Sequence, residues 1–271
     1  MEHIEQLIRD RRSVRTFDAR EASQNDLERL AAFLREIDNP YGIMVEFKFL
    51  DGKTRELKCP VANGTDLYVG IKAQAQPHME EAVGYALEQL VLYAQSLGIG
   101  TVWVGGTMDR GAFEQAMDLK QSERMPCMSP LGYPAKKMSI KESVMRKAIR
   151  ADSRSPFEGL FFERSFDKAL TPEKAGKLAF PLEMVRWAPS AVNRQPWRVV
   201  VDEVGAHFYL KRSKGFISES AGDMQKIDLG IAMCHFELAA KEIALDVHFC
   251  LNAPKLQVPA DCEYIASYLF G

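Results

Sequence analysis

The chain has 271 residues, 46% of them hydrophobic and 27% charged, so it can bury a large core as one domain or as two lobes. Its formal net charge is −2 with acids and bases interspersed, which supports neither nucleic-acid binding nor a polybasic membrane role. Five cysteines without a C-x-x-C pair exclude the usual zinc and disulfide frameworks and favour buried thiols in a reducing compartment.

The first part of the chain predicts two helices and two strands. Residues 1–17 form an amphipathic helix start, unlike a signal peptide, that runs into a basic turn. A second helix is expected over 24–37, capped by Ser23 or Asn25, and the segments 45–49 and 67–71 have strand character. No apolar run in the sequence reaches the roughly 20 residues of a membrane span, so we expect a cytoplasmic protein.

The next segments predict a long helix over 80–97, ended by Gly98, and a short buried strand over 101–104. A further strand closes in a turn at 129–134. Residues 136–154 are polar and basic, and are predicted to be a linker or surface crossover. The second half then begins near Ser155, with elements in this order: helix 173–187, loop 188–197, strands 198–202 and 206–210, helix 224–243 and strand 246–250.

An internal repeat relates the two long helices. Placing Gly84 on Gly230 without gaps aligns two helix–strand units and brings Trp103 onto Phe249. Arg12-Ser13 has a weaker counterpart in Arg164-Ser165. Identity is low, so either a duplication or a chance match of two amphipathic units explains the pattern.

Three short segments are candidates for binding chemistry. The run from Arg11 to Arg15 places three guanidinium groups and Ser13 within five residues, as expected for a phosphate site or for a solvated basic turn. The loop 188–197 holds hydroxyl and amide groups between two prolines, which suits either ligand recognition or a rigid turn with Trp197 in the core. Gly105-Gly106 follows a buried strand and permits either a close approach to a planar ring or an ordinary turn.

In combination, these segments resemble the nitroreductase family of FMN-dependent oxidoreductases. The family's R-x-S-x-[RK] turn matches 11–15, its A-P-S-x-x-N-x-Q-P-W segment matches 188–197, and its G-L-G-[TS]-x-W-[IV]-G-G strand resembles 98–106. Its L-G-Y-P segment matches 131–134, and its K-x-R-x-P matches 152–156 except that Asp152 replaces the lysine.

The order of these motifs departs from the usual family. The A-P-S-x-x-N-x-Q-P-W segment ordinarily follows the basic turn, whereas here it lies in the second half, and Arg164-Ser165 is followed by Asp167 instead of a basic residue. The resemblance therefore implies a fused, two-lobed branch: an internal pseudo-dimer with halves 1–154 and 155–271, one FMN site and a monomeric chain. The implied fold is α+β, with a mixed, mostly antiparallel sheet in each lobe flanked by helices.

The resemblance also implies roles for individual residues. Arg11, Ser13 and Arg154, with Arg12 beside them, are expected to hold the FMN phosphate, and Arg15 the flavin N1 edge. From the second lobe, Pro189, Ser190 and Asn193 should reach the same flavin, and the backbone at Gly105 or Gly106 should lie near N5. Because Asp152 replaces a lysine, Lys136, Lys137 or Arg150 is expected to compensate.

The activity implied is hydride transfer from NADH or NADPH through FMN to a small acceptor such as a nitroaromatic or quinone. No dedicated acid–base residue is expected, and the five histidines are interpreted as structural or surface residues. The expected partners are small molecules, not nucleic acid or membrane. The alternatives are a flavin-binding or sensing protein with little turnover, and an α+β protein that has lost its flavin.

Overall fold

A computed structural model describes residues 3–271. Its longer helices are α1 (Ile4–Asp10), α2 (Gln24–Leu34), α3 (Met79–Ser96), α4 (Arg110–Ala116), α5 (Ile140–Ala148), α6 (Pro172–Ala175), α7 (Ala179–Trp187) and α8 (Met224–Glu242). Short 3₁₀ turns lie at Phe157–Gly159, Gly176–Leu178 and Ala191–Asn193.

The strands are β1 (Val45–Asp51), β2 (Leu67–Gln74), β3 (Gly100–Thr101), β4 (Glu123–Gly132), β5 (Phe161–Glu163), β6 (Trp197–Val201), β7 (Gly205–Lys211), β8 (Ile217–Ser218), β9 (Gly222–Asp223), β10 (Val247–Cys250) and β11 (Cys262–Phe270). The first sheet is antiparallel, in the order β1-β2-β4-β3. The second has the order β10-β11-β7-β6-β5, antiparallel except for the parallel pair β5–β6. β8 and β9 form a separate hairpin. The expected α+β architecture with mostly antiparallel sheets is confirmed.

The two main sheets share a strand order. Read from β1, the first sheet runs β1-β2-β4-β3, and read from β6, the second runs β6-β7-β11-β10. Each sheet's first two strands are consecutive in the chain. A long helix, α3 or α8, then precedes the strand at the far edge, β3 or β10. The strand that follows, β4 or β11, lies between that edge strand and the first two strands. The edge strand β5 has no equivalent in the first sheet.

Helices α3 and α8 pack closely at the centre of the molecule. A Cβ atom at Gly84 would overlap the carbonyl oxygen of Ile227, and one at Gly230 would overlap that of Glu81. Glycine is therefore required at both positions because the two helix backbones meet there. The apolar residues of both helices continue into the cores beneath the two sheets.

Most predicted elements have a counterpart in the structure, but several differ. The predicted linker 136–154 contains α5, whose N-terminus is capped by the Ser139 side chain accepting the amide of Glu142 at 3.1 Å. The predicted helix 173–187 is two helices, α6 and α7, joined by a 3₁₀ turn, and the predicted strand 101–104 is regular only in β3. Helix α4 and strands β5, β8, β9 and β11 have no counterpart in the sequence prediction, and β11 lies in the middle of the second sheet.

The helix contact generates a stability prediction. Gly230→Ala should lower the free energy of unfolding by about 1–3 kcal/mol, because overlap with Glu81 outweighs the small gain in helix propensity. Urea unfolding measures the change. The control is Gly111→Ala in α4, where a Cβ atom has nothing within 4 Å. If Gly230→Ala proved as stable as Gly111→Ala, the close contact between the helices would be refuted.

Candidate functional site

The basic turn is positioned by α1. Ile4 and Ile8 are buried against Leu92 of α3 and Ala239 of α8, which fixes α1 over the contact between these two helices. Arg11 follows the last residue of α1 and has an extended backbone (φ −61°, ψ 127°). The chain then runs beside β3, where the Val14 amide donates to the carbonyl of Thr101 at 2.8 Å. This path sets the positions of Arg11, Arg12 and Ser13.

These residues line a cavity of about 360 Å³, here called the arginine cavity. Its lining includes seven of the ten predicted site residues: Arg11, Arg12, Ser13, Arg154, Pro189, Ser190 and Asn193. The remaining lining residues are Arg9, Asp10, Arg146, Ile149, Ala151, Asp152 and Trp187. Segments far apart in the sequence thus meet at one positively charged site, of a size that suits a small ligand.

Arg11 is the most deeply buried cation of this site, with only 9% of its surface exposed. Its Nε lies 4.0 Å from the Oε1 atom of Glu88, too far for a hydrogen bond, and within residues 3–271 this buried Nε has no hydrogen-bond partner. Burial lowers the pKa of Arg11, and the nearby Glu88 only partly offsets that effect. A buried guanidinium with a free donor is a favourable partner for an anion.

Arg154 is the second cation of this site whose pKa is lowered by burial. Burial, followed by repulsion from Arg11, lowers the pKa of Arg154 to about 10. One of its terminal nitrogens donates to the carbonyls of Ala151 and Ser153, at 2.9 and 2.8 Å, and its guanidinium stacks over the Trp187 ring at 5.0 Å. In the described part of the chain its Nε also has no hydrogen-bond partner. An anion between Arg11 and Arg154 would relieve the repulsion and satisfy both donors.

Arg12 lines the cavity, but its guanidinium is already engaged. Its Nη1 lies 3.1 Å from the Oε1 of Glu142, and the other carboxylate oxygen of Glu142 accepts the Thr16 hydroxyl at 2.7 Å. Glu142 is buried, so this pair attaches α5 to the basic turn. Arg12 therefore holds α5 to the basic turn in addition to lining the cavity.

Sequence reasoning missed Arg146. It lies on α5, lines the cavity and pairs with Asp152, the residue that stands where the family motif has lysine. Lys136, Lys137 and Arg150, the expected substitutes for that lysine, are not among the lining residues. The available signal was the spacing of Glu142 and Arg146, which lie four residues apart and so share the inner face of a helix. Predicting 136–154 as a linker concealed it.

The loop 188–197 is held by its own polar groups. The Ser190 hydroxyl oxygen accepts the Gln195 amide at 2.8 Å, and the Asn193 side-chain amide donates to the carbonyls of Arg150 and Ser153 at 2.7 and 3.1 Å. Three non-glycine residues have positive φ: Val192 (44°), Asn193 (57°) and Gln195 (50°). Such a backbone costs on the order of 1–3 kcal/mol per residue and is typical of functional sites. Trp197 lies in the core, completely buried.

Asp228 of α8 fixes the start of this loop. The Ala191 amide donates to both carboxylate oxygens of Asp228, at 3.0 and 3.2 Å. Burial raises the pKa of Asp228 well above its ordinary value, and the Ala191 hydrogen bond only partly opposes that effect. The carboxyl group is therefore held in an environment that favours its protonated form.

Three predicted residues, Arg15, Gly105 and Gly106, do not line the arginine cavity. Burial lowers the pKa of Arg15, whose guanidinium lies near Glu142 and Cys59. A Cβ atom at Gly105 would overlap the Met224 side chain at the start of α8, so this glycine permits contact with the second lobe. Gly106 is exposed. Gly105 follows Thr101, the neighbour of Ser13, by four residues, and so lies at most about 14 Å further along the chain.

A buried polar network lies behind Arg11. Glu88 of α3 accepts the Trp103 indole N–H at 3.0 Å, and its other oxygen lies 2.9 Å from Nε2 of His235 on α8. His235 Nδ1 lies 2.9 Å from the Met184 carbonyl, which can only accept, so Nδ1 carries a proton. His235 is thus structural, as expected, and it joins α8 to α3 behind Arg11.

A second groove, of about 580 Å³, lies at the N-terminal ends of α3 and α8. Two of its cations are paired with carboxylates: Arg212 pairs with Asp223 and Glu263, and Lys226 lies 3.1 Å from Glu263. The third, Arg124, donates to the carbonyl oxygen of Glu219. The arginine cavity, where buried guanidinium donors remain available, is the stronger candidate for an anion.

Comparison with known proteins decides the family. A family model described as "Putative TM nitroreductase" matches residues 3–240. The chain belongs to this nitroreductase family. A search of the curated proteins found no significant match.

One solved structure supports the nitroreductase fold over nearly the whole chain. A structure from Thermotoga maritima, titled a putative nitroreductase, is 20% identical and superposes with a TM-score of 0.61 over 98% of this chain and 93% of that one. An FMN-dependent nitroreductase from Clostridium difficile is 17% identical, with a TM-score of 0.42 over 52% of this chain and 94% of that one. At these identities the first comparison supports the fold alone. Among residues 3–271, no helix is long and apolar enough to cross a membrane.

Asp228 generates a pH prediction. Because its folded pKa is raised, the folded state binds the proton more tightly than the unfolded chain, whose carboxyl pKa is about 4. Its stabilising contribution is therefore present below pH ~4 and is lost as pH rises towards the folded pKa. Asp228→Asn retains an oxygen to accept the Ala191 amide and removes this titration. Urea unfolding across pH 4–8 should show the wild type losing stability relative to the variant.

The matched control is Asp118→Asn. The hydrogen bond from Lys48 lowers the pKa of Asp118, so the contribution of this carboxylate has the opposite sign and is lost only below pH ~4, as pH falls through the folded pKa. Across pH 4–8, Asp118→Asn should therefore lose stability in parallel with the wild type. Parallel pH profiles for wild type and Asp228→Asn would show that Asp228 is not buried as described.

Proposed function

We propose that the chain is an FMN-dependent oxidoreductase that binds one FMN between its two lobes, with the phosphate in the arginine cavity. The observation that carries the proposal is the convergence of two buried cations, Arg11 and Arg154, whose Nε donors have no hydrogen-bond partner within the described residues. Phosphate supplies the charge and the acceptor oxygens that this pair lacks.

The cavity's other groups complete a phosphate site. Ser13 adds a hydroxyl donor after the end of α1, and Ser190 of the 188–197 loop lines the same cavity. Arg146 adds a further cation once its pairing with Asp152 is released. Arg11, Ser13 and Arg154 would therefore bind the phosphate, while Ser190 and the fixed loop behind it would close the site from the second lobe.

The ring would extend away from the phosphate along the segment that follows β3. That segment starts beside Ser13 and reaches Gly105 within about 14 Å, a distance that suits an elongated cofactor. Arg15 would present its guanidinium to the electron-rich edge of the ring and stabilise negative charge there. The chemistry that FMN supplies when bound is hydride exchange between NADH or NADPH and a small acceptor such as a nitroaromatic or quinone.

We further propose that the lobes, 1–154 and 155–271, are duplicated halves forming an internal pseudo-dimer. The shared strand order supports this, as does the contact between the long helices. With an offset of 146 residues, taken from the alignment of Gly84 with Gly230, Glu81 corresponds to Ile227. Gly84 meets Ile227 and Gly230 meets Glu81, which is the reciprocal pattern expected across a two-fold axis. The dimer contact is thus internal, and we expect a monomer in solution.

The second half-site is degenerate in this proposal. Arg164, the counterpart of Arg12, has a side chain that is 65% exposed and pairs with Glu203 on the surface. Phe249, the counterpart of Trp103, is in edge-to-face contact with the Tyr41 ring, with centroids 4.8 Å apart. These contacts favour one FMN per chain over two.

The two arginines give a direct test. Arg11→Ala should weaken FMN binding by about 1.5–3 kcal/mol, the cost of losing a charged hydrogen bond in a buried site. Arg164→Ala should leave the affinity nearly unchanged, because its guanidinium is paired on the surface. Quenching of flavin fluorescence on titration measures both dissociation constants. Equal effects of the two substitutions would refute the assignment of the working site.

A second candidate function, a flavin-binding or sensing protein with little turnover, is favoured by Asp152. Its carboxylate lies in the lining beside Arg146, in the place of the family's lysine. Anaerobic mixing with NADH or NADPH distinguishes the two. The oxidoreductase should lose the flavin absorbance near 450 nm with at least one nicotinamide. Bound FMN that neither nicotinamide bleaches would favour the binding protein.

A further inference from the structure

Helix α5 has its apolar stripe on the solvent side. Ile140, Val144 and Ala148 recur every four residues and so share one face. Ile140 is 85% exposed and Val144 60%, and Met138, just before the helix, is 46% exposed. The opposite face carries Glu142, which is buried against the protein. This polarity is the reverse of that of an ordinary surface helix.

Lysines surround the stripe. At 100° per residue, Lys141 and Lys147 lie on its two sides, and Lys136 and Lys137 precede the helix. Within the described residues, these four lysines form no ion pair with a carboxylate. By contrast, Lys48 and Lys168, elsewhere on the surface, are paired with Asp118 and Glu163. The carboxylate of α5 itself, Glu142, is engaged with Arg12.

The overall net charge of −2 conceals this concentration of positive charge. Six basic side chains and one carboxylate lie between residues 136 and 150, so the remainder of the chain is clearly acidic. Composition alone therefore argued against a membrane role that the local arrangement supports. A projecting, basic helix with an apolar stripe is the pattern of segments that lie in a membrane interface.

The charge and composition of this surface favour a lipid bilayer over a second copy of the chain or another protein. A second copy of the chain would bring two lysine clusters together, which electrostatic repulsion disfavours. Residues 136–150 contain neither the tryptophan nor the tyrosine that typically anchors a protein interface. A bilayer accepts a convex helix, takes up isoleucine and valine below the headgroups and binds lysines through lipid phosphates.

We propose that residues 136–150 form a docking surface for an anionic lipid bilayer. Ile140 and Val144 enter the interface, while the four lysines contact anionic headgroups. None of the residues that contact the bilayer in this proposal, Ile140, Val144 and the four lysines, lines the arginine cavity. Because Arg146 of the same helix lines the arginine cavity, docking brings the cavity close to the bilayer.

Co-sedimentation with vesicles tests the proposal. The purified chain should bind vesicles of phosphatidylcholine with phosphatidylserine more tightly than vesicles of phosphatidylcholine alone, and added salt should weaken the binding. Ile140→Glu/Val144→Glu should lower the affinity on the order of tenfold or more, because a charged stripe cannot enter the interface. Lys137→Ala/Lys147→Ala should lower it roughly 30-fold.

The matched controls lie elsewhere on the surface. Met44→Glu changes a methionine that is 88% exposed, and Lys174→Ala/Lys177→Ala removes two exposed lysines, so both should bind like the wild type. Circular dichroism confirms that each variant is folded. Equal binding to both vesicle types would overturn the proposal. So would normal binding by Ile140→Glu/Val144→Glu together with displacement of the wild type by polyglutamate, which would indicate an acidic protein partner.

Discussion

The burial of two guanidinium groups in one cavity is the constraint on which the site depends. Arg11 and Arg154 come from distant parts of the sequence, and burial, followed by repulsion from Arg11, lowers the pKa of Arg154 to about 10. Such an arrangement costs stability unless it serves to bind an anion. The loop at 188–197, with its positive φ angles, adds a second cost at the same place. Both costs fall on one cavity, which is the pattern of a site shaped by function.

The packing of α3 against α8 makes that arrangement possible. The glycines at 84 and 230 let two helix backbones meet, and the helices then carry Glu88, His235 and Asp228 into the interior. Glu88 of α3 lies beside Arg11, and Asp228 of α8 holds the Ala191 amide of the loop. The geometry of the cavity therefore depends on the contact between α3 and α8. A substitution at either glycine should therefore change the geometry of the cavity as well as the stability of the fold.

The sequence predicted those parts of the molecule that local patterns determine. Apolar periodicity located α3 and α8 to within a residue or two, and the linear motifs identified Arg11, Ser13, Ser190 and Asn193, which the fold brings into one cavity. It failed where the determinant is long-range. The inner face of α5 is polar, since its Glu142 forms an ion pair with Arg12. Apolar periodicity therefore predicted no helix there, and Arg146 was missed. Asn193 donates to backbone carbonyls at 150 and 153, contacts that no local pattern encodes.

Binding of one FMN, with its phosphate in the arginine cavity, is tested by the absorbance spectrum of the purified chain, followed by titration with FMN to obtain the molar ratio of bound flavin to protein. We expect a flavin spectrum that saturates at one FMN per chain. A colourless preparation that takes up no FMN, or saturation at two per chain, would contradict it.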